Sequence, residues 1–204
     1  MKVRKVKKRM HMCNKSDMLS VKFKKLDDNA IIPSFAHDGD IGMDLTATSV
    51  EYDKDRDMYV YHTGLACETP IGSGMFLMVR SSNRNTEAYL CNHVGLVDTA
   101  TYRGEIILCF KNRTSLRQLA LESRYMAFEK TFSACGNIET ATIAAKEAYD
   151  KSLTDEMAMS VAPYKVGDRI GQAVFIKFPR VSTSIVYELS DTERGKGGFD
   201  SSGK

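Results

Sequence analysis

Asn92-His93-Val94-Gly95-Leu96-Val97-Asp98-Thr99-Ala100-Thr101-Tyr102-Arg103-Gly104-Glu105 is the stretch on which the fold of this chain turns. An apolar run over residues 94–97 ends on Asp98, passes through small polar residues, and restarts at Tyr102 ahead of Ile106, Ile107 and Leu108. The pattern predicts a β-hairpin with one carboxylate at its rim and one aromatic ring just beyond the turn. Such a hairpin offers backbone N–H and C=O groups that can copy a base-pairing edge. It also offers a carboxylate to activate water and a ring to stack on a flat ligand. The same residues equally suit an ordinary hairpin with a turn Asp, so the rest of the chain has to discriminate.

Outward from this stretch, strand signals recur at short spacing. Val21 and Phe23 alternate with polar neighbours, and Val60 alternates with tyrosine and histidine. Residues 75–79, 106–110 and 173–178 read as buried strands, and residues 185–189 close the series. Gly, Asp and Asn punctuate the runs, which predicts an all-β sandwich, jelly roll or barrel. The body is expected over residues 19–112 and 163–190.

Residues 113–162 break the strand pattern. Leu121, Tyr125, Phe128 and Phe132 follow a helical stripe, and after Gly136, Asn137 is a candidate N-cap for a second helix carrying Ile138, Ala141, Ala145 and Tyr149. This predicts a helical hairpin inserted into the β body, its stripes packing on each other or on the body. A partner-binding surface is the alternative.

Residues 191–204 form a predicted flexible arm. From Arg194 the arm holds four glycines, the hydroxyls of Ser201 and Ser202, and the lone aromatic Phe199. Glycine lets backbone N–H groups approach phosphate oxygens, and an aromatic with no core to join suits ligand stacking. A frayed terminus is the plain alternative.

Composition bounds the function. The formal net charge is +3, but residues 1–15 alone hold seven basic residues and no acid; without them 22 basic face 26 acidic residues, a net of −4. The body is therefore not expected to bind nucleic acid. A basic disordered tail over residues 1–18 could make a weak, salt-sensitive contact with it. The five cysteines form no CxxC pair, and with the four histidines give no metal-ligand spacing. No apolar run reaches membrane-spanning length. A reduced, cytoplasmic protein is the expectation.

Five short segments in order resemble the motifs of trimeric-type dUTP diphosphatases (dUTPases). They are Gly42-Met43-Asp44-Leu45, Arg80-Ser81-Ser82, residues 92–105, Gly167-Asp168-Arg169-Ile170-Gly171-Gln172 and residues 194–203. Each alone is weak; five in fixed order are specific. The resemblance implies a jelly-roll-like dUTPase fold and Mg²⁺-dependent hydrolysis of dUTP to dUMP and pyrophosphate, which limits uracil in DNA and supplies dUMP for dTMP synthesis. It implies that Asp98 activates the water that attacks the α-phosphate. Asn92 and the backbone near Val94 and Val97 would read uracil, and Tyr102 would lie under the deoxyribose and exclude a 2′-hydroxyl. Arg80, Ser81, Ser82 and Gln172 would contact phosphates, with Asp44 and Asp168 organising the site. Arg194, Phe199, Ser201 and Ser202 would close over the nucleotide. Mg²⁺ would sit mainly on the phosphates and water, with no direct protein ligand. A homotrimer with composite sites follows from the same resemblance, and an insert between the third and fourth motifs suggests a phage-borne member acting in a host cytoplasm.

The chain departs from the family pattern in places. Three residues, not the usual two, separate Asp98 from Tyr102, which predicts a bulge or wider turn. Asp200 replaces a usual glycine beside Phe199. Two rival readings remain. A dCTP deaminase-like relative would need a glutamate where Cys109 stands, and a non-enzymatic regulator would act through a protein partner at the insert.

Overall fold

A computed structural model describes residues 18–193 and Gly195. Ten strands and three helices follow in the order β1 (Lys22–Lys25), β2 (Met43–Thr46), β3 (Ser49–Asp53), β4 (Met58–His62), β5 (Leu65–Glu68), β6 (Ser73–Met78), β7 (Ala88–Leu90), β8 (Gly95–Val97), β9 (Ile107–Asn112), α1 (Leu116–Cys135), α2 (Ile138–Ser152), α3 (Asp155–Ser160) and β10 (Arg169–Lys177). A 3₁₀ turn spans Ser81–Asn85.

Two four-stranded antiparallel sheets, ordered β2-β10-β6-β8 and β3-β4-β9-β7, face a shared core, and β1 pairs with β5 beside them. The alternation of strand residues drives this arrangement. In β9, Leu108 and Phe110 are buried while Ile107, Cys109 and Lys111 point the other way, so one face closes the core and the other does not. Leu45, Met75, Ile170 and Ala173 of one sheet meet Tyr61, Leu108 and Phe110 of the other. Tyr61 and Phe110 pack edge-on at 5.7 Å, and Tyr164 joins both. The buried hydroxyl of Tyr61 donates to Tyr164 O at 2.8 Å and accepts Tyr164 N–H at 3.0 Å, so no polar group is left stranded. The expected mostly-β body is observed, and among the described residues its sheets do not close into a barrel.

Two expectations fail. Residues 92–112 do not form a hairpin: β8 pairs with β6, whereas β9 pairs with β4 and β7 in the opposite sheet. The segment between them crosses the sandwich because Thr99 is fully buried against Thr69 and Ile106 N–H donates to Leu65 O at 2.7 Å. Nor do residues 185–189 form a strand. Among the described residues no strand pairs with them, and Ile185 and Tyr187 stand fully exposed at 102% and 108%. An alternating apolar pattern needs a partner edge to become a strand.

The helices occupy the interval between β9 and β10. The Ser115 hydroxyl caps α1 by accepting Gln118 N–H at 3.0 Å, and Gly136 ends it in the left-handed region at φ 66°. Asn137 then caps α2, its side chain accepting Thr140 N–H at 3.0 Å, as the sequence predicts. What the two helices bury is mostly small: Leu116 and Ala120 of α1 with Ala141 and Ala145 of α2. The aromatic stripe of α1 is not packed away, since Leu121, Tyr125 and Phe132 are exposed. α3, not foreseen, ties the insert to the body. Its buried Ala158 carbonyl accepts the Tyr59 hydroxyl at 2.8 Å, and just beyond it Val161 O accepts Asn112 Nδ2 at 2.8 Å.

Candidate active site

Crossing of the chain from one sheet to the other opens a cleft of about 280 Å³ lined by Asn92, Val97, Asp98, Tyr102 and Glu105 over Leu77 and Ile106. β8 is the edge strand of its sheet. Among the described residues no other strand pairs with it beyond β6, and the backbone of residues 95–97 lines the cleft, where an edge strand offers N–H and C=O groups. The free backbone edge expected of a hairpin is thus a sheet edge. Gly95 permits this approach, for a Cβ there would lie 2.9 Å from the Leu77 Cβ and 3.2 Å from Asn92 Nδ2.

The carboxylate of Asp98 is exposed at the rim of the cleft. Its carbonyl accepts both Thr101 N–H at 2.9 Å and Tyr102 N–H at 2.8 Å. The additional residue between them is taken up in this wider turn, and Asp98 and Tyr102 still line one cleft. Tyr102 donates its hydroxyl to Glu105 O at 3.2 Å. The Glu105 carboxylate reaches back to the β4–β5 turn, accepting Gly64 N–H at 2.7 Å and lying 2.8 Å from His62 Nδ1. Glu105, His62 and Arg103 carry no signal from which their roles could have been read in the sequence. Glu105 lies tens of residues from its partners His62 and Gly64, and Arg103 joins carbonyls of its own turn to the distant Glu68.

A second group gathers where β2, β10 and the end of β6 meet. Asp44, only 13% exposed at its side chain, accepts from Arg80 Nε at 3.0 Å, Arg169 at 2.9 Å and Gln172 Nε2 at 3.2 Å. Arg80 also donates to the Ser82 hydroxyl at 3.4 Å. Ser81 and Ser82 are exposed in the 3₁₀ turn that Arg80 precedes. Two guanidiniums and one carboxylate leave this group net positive, a setting for phosphate oxygens. Arg169 was not among the residues expected there; its recognition needs the β2–β10 register. Asp168 does not join the group: its carboxylate accepts Lys165 N–H at 2.7 Å and its carbonyl accepts Ala47 N–H at 3.0 Å, so it shapes the turn into β10.

Within one chain the two groups do not meet. Val97 lies opposite Met75 on one side of β6, while Gln172 lies opposite Met78 on the other, with Asp44 one strand beyond. Three strand spacings of roughly 4.8 Å and several residues along β6 therefore separate Asp98 from Asp44. Val94 is exposed at the start of β8. Cys109 is half-buried and outside the cleft, its thiol pushed up by burial. Arg194, Phe199, Ser201 and Ser202 lie outside the described residues, as does the basic segment 1–17.

No family model matches the chain. A deoxyuridine 5′-triphosphate nucleotidohydrolase of Picosynechococcus sp. is 29% identical over 180 residues, 88% of this chain and 95% of the relative. The enzyme of the same name from Clostridioides difficile is 28% identical over 187 residues, 91% and 99% of the two chains. Among solved structures, the Staphylococcus bacteriophage 80alpha dUTPase with dUpNHpp superposes with a TM-score of 0.58 at 20% identity, covering 91% of this chain and 99% of that one. A dUTPase from phage phi11 of S. aureus, described with a structural Mg(II) ion, superposes at 0.52 and 18% identity over 83% and 98%. One fold and one enzyme name recur along nearly the whole chain, which is similar to the dUTPases over nearly the full length of these relatives.

Proposed function

We propose that this protein hydrolyses dUTP to dUMP and pyrophosphate, the α-phosphate being attacked by a water that Asp98 orients and deprotonates. The observation that carries the reading is the cleft that holds a free strand edge, an exposed carboxylate and a tyrosine together. The backbone of residues 94–97 and the Asn92 amide complement the carbonyl and imide groups of uracil. Tyr102 lies under the sugar and leaves no room for a 2′-hydroxyl. The water adds hydroxide to the α-phosphorus as the bond to the β-phosphate bridging oxygen breaks, and its proton passes to Asp98.

Arg80, Ser81, Ser82 and Gln172, with Arg169 beside them, hold phosphate oxygens, and Asp44 keeps both guanidiniums oriented. Arg194, Phe199, Ser201 and Ser202 close over the nucleotide. Mg²⁺ is the cofactor. It is carried mainly on the triphosphate with water completing its shell, a hard cation on hard oxygen donors. When bound, it neutralises charge developing on the phosphates.

Separation of the two groups supports a composite site in a homotrimer, one copy supplying the Asp98 cleft and another the Asp44 group. The bare apolar residues 181–189 support the same assembly. Cysteines 67, 91, 109 and 135 are free, in keeping with a reducing cytoplasm, that of a host if the chain is phage-borne; among the described residues no helix is long and apolar enough to cross a membrane. A second role, capture of a protein partner by the insert, is favoured by the groove of about 350 Å³ lined by Leu121, Tyr125 and Phe128 against Thr142 and Ala145.

Pyrophosphate release with Mg²⁺ from dUTP, UTP, dTTP and dCTP, alongside Asp98→Asn, tests the reading. Turnover of dUTP alone, lost in the variant, is expected. A folded protein that turns over none of the four sinks it, and equal turnover of UTP means that Tyr102 does not guard the sugar.

A further inference from the structure

The turn from Asp98 to Tyr102 is pinned from two sides. On the buried side, the Thr99 and Thr69 hydroxyls share a 2.6 Å hydrogen bond and Thr69 N–H donates to Thr99 O at 3.3 Å. On the outer side stands a single guanidinium. Arg103 donates through Nη1 to Thr99 O at 3.0 Å and Tyr102 O at 2.9 Å, and through Nη2 to Ala100 O at 3.1 Å. Glu68 Oε2 lies 3.4 Å from the same Nη2, and Lys22 Nζ holds Glu68 at 2.9 Å across the β1–β5 pair. The guanidinium is therefore seated on three carbonyls of one turn, with its far side tethered to a strand.

Three residues separate Asp98 from Tyr102 in this turn, one more than in the dUTPase motif that the segment resembles. An extra residue adds two soft dihedrals, and unless they are restricted the ring of Tyr102 loses its fixed relation to Asp98. Arg103 does not line the Asp98–Tyr102 cleft; it lines the opposite depression between β1 and β5. It is thus placed to act on the turn and not on the nucleotide.

We propose that Arg103 is a positioning residue that clamps the carbonyls of the lengthened turn, sets Tyr102 against Asp98, and so determines how strictly the site selects deoxyribose over ribose. The proposal rests on the dUTPase reading for its sugar readout, but its geometric half does not.

The test uses the full chain and compares Arg103→Ala and Arg103→Lys with the parent. Two quantities are read: the ratio of kcat/KM for dUTP to that for UTP, and hydrogen exchange at the amides of Thr101 and Tyr102. The ratio of two constants measured on one sample does not depend on the fraction folded, so a merely structural arginine leaves it unchanged. Arg103→Ala is expected to lower the ratio by about tenfold or more. Lysine, a point charge on a flexible stem, cannot span three carbonyls and restores the ratio in part. The two amides, both bonded to Asp98 O, exchange faster in the alanine variant. An unchanged ratio with unchanged exchange overturns the proposal. If the parent protein hydrolyses no dUTP, the enzymatic reading fails by itself, and exchange alone decides whether Arg103 clamps the turn.

Discussion

A single carboxylate, Asp44, faces two guanidiniums and an amide while almost shielded from water. Charge-assisted bonds to a largely buried group contribute about 1.5–3 kcal/mol each, whereas exposed pairs contribute little. Asp44→Asn leaves Arg80 and Arg169 facing each other without an anion between them. It is expected to lower kcat/KM for dUTP by roughly tenfold to a hundredfold, mainly through KM, because phosphate-binding groups lose their orientation; an unaltered KM would place the phosphates elsewhere. Gly95→Ala is a steric counterpart. The new methyl meets Leu77 at 2.9 Å across β6–β8 and crowds Asn92. An overpacking cost of about 1–3 kcal/mol is expected, with weaker dUTP binding, to be read from the urea midpoint and from titration with a non-hydrolysable dUTP analogue.

At the scale of elements, the helical insert and the β body are joined by few bonds. Lys54–Asp155 is exposed on both sides and adds little; the buried Tyr59–Ala158 bond carries more of the docking. α2 depends on its cap. Asn137→Ala is expected to destabilise that helix by about 1 kcal/mol, visible as faster amide exchange over residues 138–152, while dUTP turnover stays at the parent level. Removing residues 114–160 and joining the ends leaves the Asn112–Val161 bond and Tyr164 in place. Turnover is expected to survive this deletion. Its loss would show that the insert takes part in building the site.

Over the whole molecule, buried phenols and a buried thiol set the alkaline limit. Burial pushes Cys67 from 9.0 to about 11 and Tyr59 from 10.0 to about 12, and raises Tyr61 further. A group whose folded pKa is raised contributes its full stability below the unfolded value and loses it as pH climbs through the folded one. Stability is therefore expected to be flat up to about pH 9 and to fall between about pH 9 and 12. Urea midpoints against pH check this, and Cys67→Ala should flatten the lower part of that window. Assembly belongs to the same scale. Burying a large apolar side chain contributes about 1.5–3 kcal/mol, and Ile185 and Tyr187 find no cover among the described residues. Light scattering is expected to give three times the 22.8 kDa of one chain, and Ile185→Asp with Tyr187→Asp to give a smaller species.

The sequence by itself determined what local chemistry controls. Alternation marked β1 and β4, short apolar runs marked β6, β9 and β10, Asn137 and Gly136 marked the ends of helices, and the residue types around Asp98 and Tyr102 marked a place that the structure makes a cleft. Such signals act between neighbours in the chain, so they are legible there. Tertiary structure decided everything that depends on strand partners. It sent β8 and β9 to opposite sheets instead of a hairpin, and among the described residues gave 185–189 no strand to pair with. It also brought Arg169 to Asp44 across the β2–β10 register and set Glu105 on Gly64 and His62. Hydrogen bonds of a sheet join residues far apart in sequence, and a period of two says which side chains turn inward without saying which strand lies alongside.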